Sequence, residues 1–171
     1  MIKKILKLLN YIVLSVITNI EGPLGSRLRY LYYKNKLSKC NRYFSSEAGF
    51  KIDEPSLVTI GKHCSFNRGV LILAGPKGKI NIGDYVMIGP YTFLRSSNHG
   101  YANKEIPIKN QDKVNGDINI GTDVWIGGYV AILKGVRIGN HSIIAAQSLV
   151  NKDVPECSVV GGIPAKIIKK R

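Results

Sequence analysis

Ile120-GTDVW, Ile126-GGYVA, Ile132-LKGVR, Ile138-GNHSI, Ile144-AAQSL and Val150 form a lattice of sixes: an aliphatic residue leads every block, and a small residue follows it in four of the five. An α-helix turns every 3.6 residues, so successive sixes would scatter around its axis and no face would collect them. Short strands joined by tight turns keep one large residue per strand facing inward, with Gly, Asn or Asp where φ becomes positive. Hexapeptide repeats of this kind mark parallel β-helices. The same lattice runs through Ile60-GKHCS, Phe66-NRGVL, Ile72 and through Ile82-GDYVM, Ile88-GPYTF, Leu94. Between these runs the phase slips over residues 73–80, where Gly75, Pro76 and Gly78 predict a small corner loop. From Leu94 to Ile120 the lattice is lost, which predicts a larger excursion over 95–117.

The 171 residues suit one core-bearing domain, divided by pattern into a helical segment over 1–50 and a β-helix over 51–171. A net charge of +14 points to an anionic contact: a phosphate-bearing ligand, an anionic membrane surface or nucleic acid. Cys40, Cys64 and Cys157 have no metal-ligand spacing and read as reduced thiols of a cytoplasmic protein.

Ile2, Ile5, Leu6, Leu9, Ile12, Val13, Val16, Ile17 and Ile20 recur at threes and fours, which lines them along one helix face behind Lys3, Lys4 and Lys7. No small-residue cleavage site follows, and the uncharged run over 8–20 is shorter than the roughly 20 apolar residues of a membrane span. Two readings stay open for this stretch. One is a basic amphipathic helix lying at the inner membrane surface, and the other is a helix docked on its own protein. A second helix is expected to start near Ser26, carrying Arg27, Arg29, Lys34, Lys36 and Lys39 among leucines and tyrosines. Together residues 1–40 offer a surface for peripheral membrane association. No nucleic-acid module surrounds them, so nucleic acid is not expected as a partner. Residues 40–59 read as an irregular lead-in to the first coil.

A bare β-helix has no chemistry, so function must sit where the lattice breaks. The excursion holds Arg95-SSNHGYANKEIPIKN-Gln111. His99 is the one histidine off the lattice; His63 and His141 occupy turn positions, where polar side chains point to water. Between Asn98 and Gly100, His99 can present an imidazole to a cleft as a general base. Ser96 and Ser97 suggest a nucleophile, but no elbow motif or spaced carboxylate supports one.

The sixes, the "NHG" loop, "GTDVWIGGYVAILKGVRIG" and "VVGGIPAKIIKKR" resemble the hexapeptide-repeat acyltransferases, over about residues 52–170. Within that family the chain is most similar to the O-acetyltransferase branch of galactoside, maltose and streptogramin enzymes and their capsule and O-antigen relatives. The resemblance implies a left-handed parallel β-helix, a homotrimer, and acetyl-CoA as co-substrate between neighbouring subunits, with no metal required. It implies His99 as the base that deprotonates an acceptor hydroxyl for direct attack on the thioester, and Asn67 and Asn98 as acceptor-binding residues. Trp125, Gly128, Ala146, Lys166 and Lys169 are implied in coenzyme binding.

The long basic N-terminal helix departs from the small-sugar enzymes and favours a sugar hydroxyl of a surface polysaccharide or its lipid-linked precursor. Glu105 and Asp117 are the candidate carboxylates to orient His99, and a backbone carbonyl is the alternative. Two alternatives remain: N-acetylation of an amino-sugar nucleotide, and a non-catalytic or metal-binding β-helix, whose histidine spacing is not found here.

Overall fold

The computed structural model describes residues 2–171. The sixes become short strands separated by turns, stacked in three parallel sheets that form the faces of a solenoid of about five turns. The first face carries Lys39–Cys40, Val58–Ile60, Ile80–Ile82, Ile118–Ile120 and Arg137–Ile138. The second carries Ser45–Ser46, Ser65–Phe66, Met87–Ile88, Trp125–Ile126, Ile143–Ile144 and Ser158–Gly161, closed by the antiparallel strand Lys166–Lys170. The third carries Lys51–Asp53, Leu71–Leu73, Phe93–Arg95, Ala131–Ile132 and Leu149–Val150. The lead residues Ile120, Ile126, Ile132, Ile138, Ile144 and Val150 are all buried. Phe44, Phe50 and Phe66 fill the first coils, the last two stacked with centroids 4.8 Å apart.

The second helix ends at Tyr33, short of Lys34, Lys36 and Lys39, and stacking begins at Lys39 and continues through the stretch read from sequence as irregular lead-in. Its first two strands have only two residues each, and the buried positions there are Phe44 and Ser46 rather than β-branched residues, so no lattice is visible.

The turns also differ from expectation. Left-handed φ is held at His63, Tyr85, Tyr91, Asp123, Tyr129, His141, Gln147 and Cys157, mostly not Gly, Asn or Asp. Left-handed φ costs an L-residue about 1–2 kcal/mol. Here each turn N–H from Tyr85 onward donates to the coil before it, as Tyr85 does to the Lys62 carbonyl at 2.7 Å and Tyr129 to that of Pro90 at 2.8 Å. Side-chain stacking adds to this, with His63 on Tyr85 and Tyr91 on Tyr129 at 5.0 and 5.2 Å between centroids.

Two helices precede the solenoid: α1, Ile2–Asn19, and α2, Gly22–Tyr33. The second starts earlier than Ser26, because Pro23 has the φ of a first helical turn. Ser26 is instead buried inside it, bonded to the Tyr43 hydroxyl at 2.8 Å and accepting the Ser46 N–H at 3.0 Å. Arg29 of α2 is fully buried and acts as a cap for α1. It donates to the carbonyls of Ile17 and Ile20, each at 2.8 Å, and to the Ser46 carbonyl at 2.6 Å and hydroxyl at 3.1 Å. Burial pulls this guanidinium below its ordinary pKa, partly offset by Glu21.

The docked side of α1 holds Ile17 and the half-buried Leu14, not the whole aliphatic stripe. Ile5, Leu9, Ile12, Val13 and Val16 are exposed, each by 48% or more. The side chains of Ile2, Lys3, Leu6 and Lys7 from the same reading lie outside the described residues. No described helix is long and apolar enough to cross a membrane.

Arg29→Met should leave the α1 carbonyls unpaired and destabilise the fold by about 2–4 kcal/mol. Denaturant titration measures the loss, and trypsin should then cut within residues 1–30 before it cuts the solenoid.

Candidate functional site

Where the lattice breaks, the chain leaves the edge of the third face as an arm. Ser97–His99 pairs antiparallel with Lys113–Asn115, placing His99 opposite Lys113. Opposed residues of an antiparallel pair share one side of the ribbon, with Cβ atoms about 5 Å apart. His99 is exposed and lines a cleft of about 680 Å³ with Asn98, Tyr101, Asn103, Asp112 and Lys134. Among the described residues no carboxylate bonds its ring. Asp117 instead accepts the Lys79 N–H at 2.8 Å, and Glu105 is exposed elsewhere in the arm.

Ser96 and Ser97 are buried at the foot of the arm. The Ser96 hydroxyl donates to the Gly78 carbonyl at 2.8 Å and accepts the Gly75 N–H at 2.7 Å, so it is a structural pin and not a nucleophile. His63 and His141 hold left-handed turn positions, as expected. Among the described residues no group of three or more His, Cys, Asp or Glu is placed to hold a metal ion.

The remaining sequence-predicted residues gather on the second face and its corner with the third. Met87, Trp125, Ile143, Val159 and Lys169 stand in register along the outer side of the second face. At the usual strand spacing, Lys169 lies roughly 14 Å along this column from Trp125. Trp125 is 52% exposed and covers no core. Lys166 pairs with Gly161 on the same terminal strand.

The corner beyond this face carries a feature that sequence reasoning missed. In successive coils the same corner position is Arg68, Pro90, Gly128 and Ala146, followed by Gly162. The Arg68 N–H is taken by Glu47 at 3.0 Å and the Gly162 N–H by Ser148 at 3.2 Å, while Pro90 has none. Among the described residues, nothing accepts the amides of Gly128 and Ala146. They form a pair of open donors one coil apart, and a Cβ on the adjoining Gly127 would come 2.6 Å from the Ala146 nitrogen. A comparison of corner positions across the repeats, asking which lack a cap, would have found them.

Asn67 shares this corner two coils earlier, where it lines a shallow cavity with Pro23, Tyr43 and Glu47. One chain therefore carries two half-sites. Asn67, Trp125, Gly128 and Ala146 lie toward one edge of the third face, and Asn98 and His99 lie beyond the other.

Residues 117–152 match the family described as bacterial transferase hexapeptide (six repeats). A putative acetyltransferase of Saccharomyces cerevisiae is 34% identical over 157 residues, 89% of this chain and 76% of that protein. Chloramphenicol acetyltransferase of Agrobacterium fabrum is 33% identical over 143 residues, and this alignment spans 82% of the chain but only 62% of that protein. Galactoside O-acetyltransferase of Escherichia coli is 38% identical over 96 residues, 53% of this chain and 44% of that protein. The solved structure of a hexapeptide-repeat acetyltransferase from Vibrio cholerae, complexed with acetyl coenzyme A, superposes with a TM-score of 0.80. It is 30% identical, with coverage of 94% of this chain and 84% of that one.

The terminal strand that carries Lys169 is latched at its end. Asp123 bonds His141 at 3.0 Å and Arg171 at 2.9 Å, and these contacts hold its carboxyl below the ordinary 3.8. A depressed carboxylate pKa stabilises the fold above the unfolded value and loses that contribution as pH falls through the folded one. Amide exchange over residues 166–171 should therefore speed up as pH falls below about 4, after correction for the intrinsic rate. Asp123→Asn should show the faster exchange already at pH 7.

Proposed function

We propose, from the premise that this chain belongs to the hexapeptide-repeat acetyltransferases, with their left-handed parallel β-helix, that it moves acetyl from acetyl-CoA to a sugar hydroxyl. The acceptor is a surface polysaccharide or its lipid-linked precursor. The observation that carries this reading is His99, exposed at the end of an arm strand in a cleft it shares with Asn98, Asn103 and Lys134, with no carboxylate among the described residues bonded to its ring.

The residues present fit the coenzyme. The apolar column from Trp125 through Ile143 and Val159 suits an extended chain, and Lys166 and Lys169 at its end suit phosphates. The open amides of Gly128 and Ala146 suit the carbonyls of a pantetheine arm or the oxyanion that develops on the thioester. The thioester supplies the acetyl group: its C–S bond breaks as the new C–O bond forms. His99 accepts the hydroxyl proton at a ring nitrogen and passes it to the departing thiolate. Asn67 and Asn98 orient the sugar. Because one chain holds the two half-sites apart, the working unit is an oligomer, here a homotrimer, in which the corner of one copy meets the arm of the next.

The membrane side of the reading rests on α1. Its bare aliphatic stripe lies near Lys4, and apolar burial and attraction to anionic lipid add, the latter by about 1 kcal/mol per basic residue at the surface. The enzyme then works peripherally on the cytoplasmic face.

His99→Ala should lower turnover by a factor on the order of 10² to 10⁴, with acetyl-CoA affinity and assembly mass retained. Near-normal turnover by the folded variant removes His99 from the mechanism, and transfer to chloramphenicol but to no sugar overturns the acceptor. Full-length protein should sediment with anionic vesicles and release partly at high salt. Ile12→Glu with Val16→Glu should prevent sedimentation. If the wild type ignores vesicles, the stripe packs on another copy of the chain.

A further inference from the structure

A second cavity, of about 660 Å³, opens between α1, α2, the third face and the foot of the arm. Tyr11, Tyr32, Lys36, Lys51, Arg95 and Lys113 line it, together with the carboxylates of Asp53 and Glu54. Asp53 is paired with Lys51 at 3.1 Å. Lys36 lies 3.3 Å from the centroid of the Tyr32 ring, and both donate to Asn10 of α1 at 2.9 Å, which fixes this wall. Among the described residues Arg95 uses only Nε, donating to the Ser97 carbonyl at 3.1 Å. Its terminal N–H groups and the Lys113 ammonium have no partner among the described residues. Four cations thus line the cavity against two carboxylates, and among the described residues neither carboxylate is paired with Arg95 or Lys113.

We propose that the cavity is a phosphate subsite of the acceptor: it holds the phosphate of a phosphate-linked saccharide whose hydroxyl reaches His99. This rests on the reading of His99 as the base. Lys113, which lines this cavity, is opposed across the arm by His99, which lines the neighbouring cleft, so an acceptor spanning the two would set its phosphate at Lys113 and its hydroxyl at the imidazole. The guanidinium fork of Arg95 matches two phosphate oxygens, and Lys113 adds a point charge. The helix that walls the cavity through Asn10, Tyr11 and Leu14 also bears the bare stripe of Leu9, Ile12, Val13 and Val16. A phosphate arriving on an apolar carrier meets a track and a socket on the same helix.

The test compares kcat/KM of the full-length protein for hexose 1-phosphates with that for the matching methyl glycosides. The phosphate should be preferred by on the order of tenfold or more at low salt, and by less as salt screens the contacts. Arg95→Gln and Lys113→Gln should each bring the ratio toward one. Binding of the hexose 1-phosphate without acetyl-CoA, followed by phosphorus NMR, should weaken in both variants and persist in His99→Ala. The same sugar on a prenyl phosphate in detergent micelles identifies the source: a larger preference means a lipid carrier, an equal one a soluble sugar phosphate. A wild-type ratio near one without phosphate binding overturns the subsite and leaves acetyl transfer standing. If no sugar is acetylated the transfer reading fails, and the binding arm still decides whether the cavity takes phosphate.

Discussion

The solenoid depends on one recurring bond, the amide of a left-handed turn residue donating to the carbonyl of the preceding coil. Strands of two or three residues hold too little ladder to fix a chain direction by themselves. The turn must be tight, which requires the left-handed conformation, and that conformation is unfavourable for Tyr, His or Gln in isolation. From Tyr85 to Cys157 the bond to the neighbouring coil offsets the cost, so a turn is stable only with a coil beside it. This makes the coils mutually dependent, as in other stacked-repeat architectures. At two corners the exposed rings add to this, His63 lying on Tyr85 and Tyr91 on Tyr129 of the next coil.

At the open N-terminal end no earlier coil can accept or donate, and α1 and α2 take over. Arg29 supplies there, with one buried side chain, the donors that a missing coil would have supplied to the Ser46 carbonyl, and it closes the C-terminal carbonyls of α1 as well. A buried guanidinium is costly unless its N–H groups are satisfied, so its position is tightly specified. The consequence is an orientation. With Ile17 and Leu14 turned to the protein, Ile12 and Val16 have to face outward.

Much of this was legible in the sequence, for a physical reason. The interior admits one large apolar residue per six, so Ile120 to Val150 announce the coils directly, as do the slip before Ile80 and the break after Leu94. His99 stood out because it broke the lattice. Three features were hidden. The first coil uses Phe44 and Ser46 in place of aliphatics, so it carried no period. The stripe of α1 reads the same whether docked or bare, because periodicity marks a face without naming its partner. The amides of Gly128 and Ala146 are backbone groups, and their openness depends on what the neighbouring corners do: Glu47 caps one, Ser148 caps another, and Pro90 has nothing to cap.

The two departures from the lattice are one device. The slip loop ahead of Ile80 and the arm after Leu94 leave the same corner in consecutive coils, and each footing of the arm is bonded to the loop. On the outgoing side, Ser96 holds Gly75 and Gly78, where an added Cβ at Gly78 would lie 2.8 Å from the Ser96 hydroxyl oxygen and closer still to its carbonyl oxygen. On the returning side, Asp117 accepts the Lys79 N–H at 2.8 Å and Ile118 donates to the Lys79 carbonyl at 2.9 Å. An arm anchored at both feet has a fixed direction even though its outer residues are exposed. That anchoring gives a histidine on an excursion the positional definition of one on a core strand, and it sets Arg95, at the end of the last strand before the break, at the root of the same arm. The glycines of the short loop give the arm a floor without side chains, since a Cβ at Gly75 would meet Ser97 and one at Gly78 would meet Ser96.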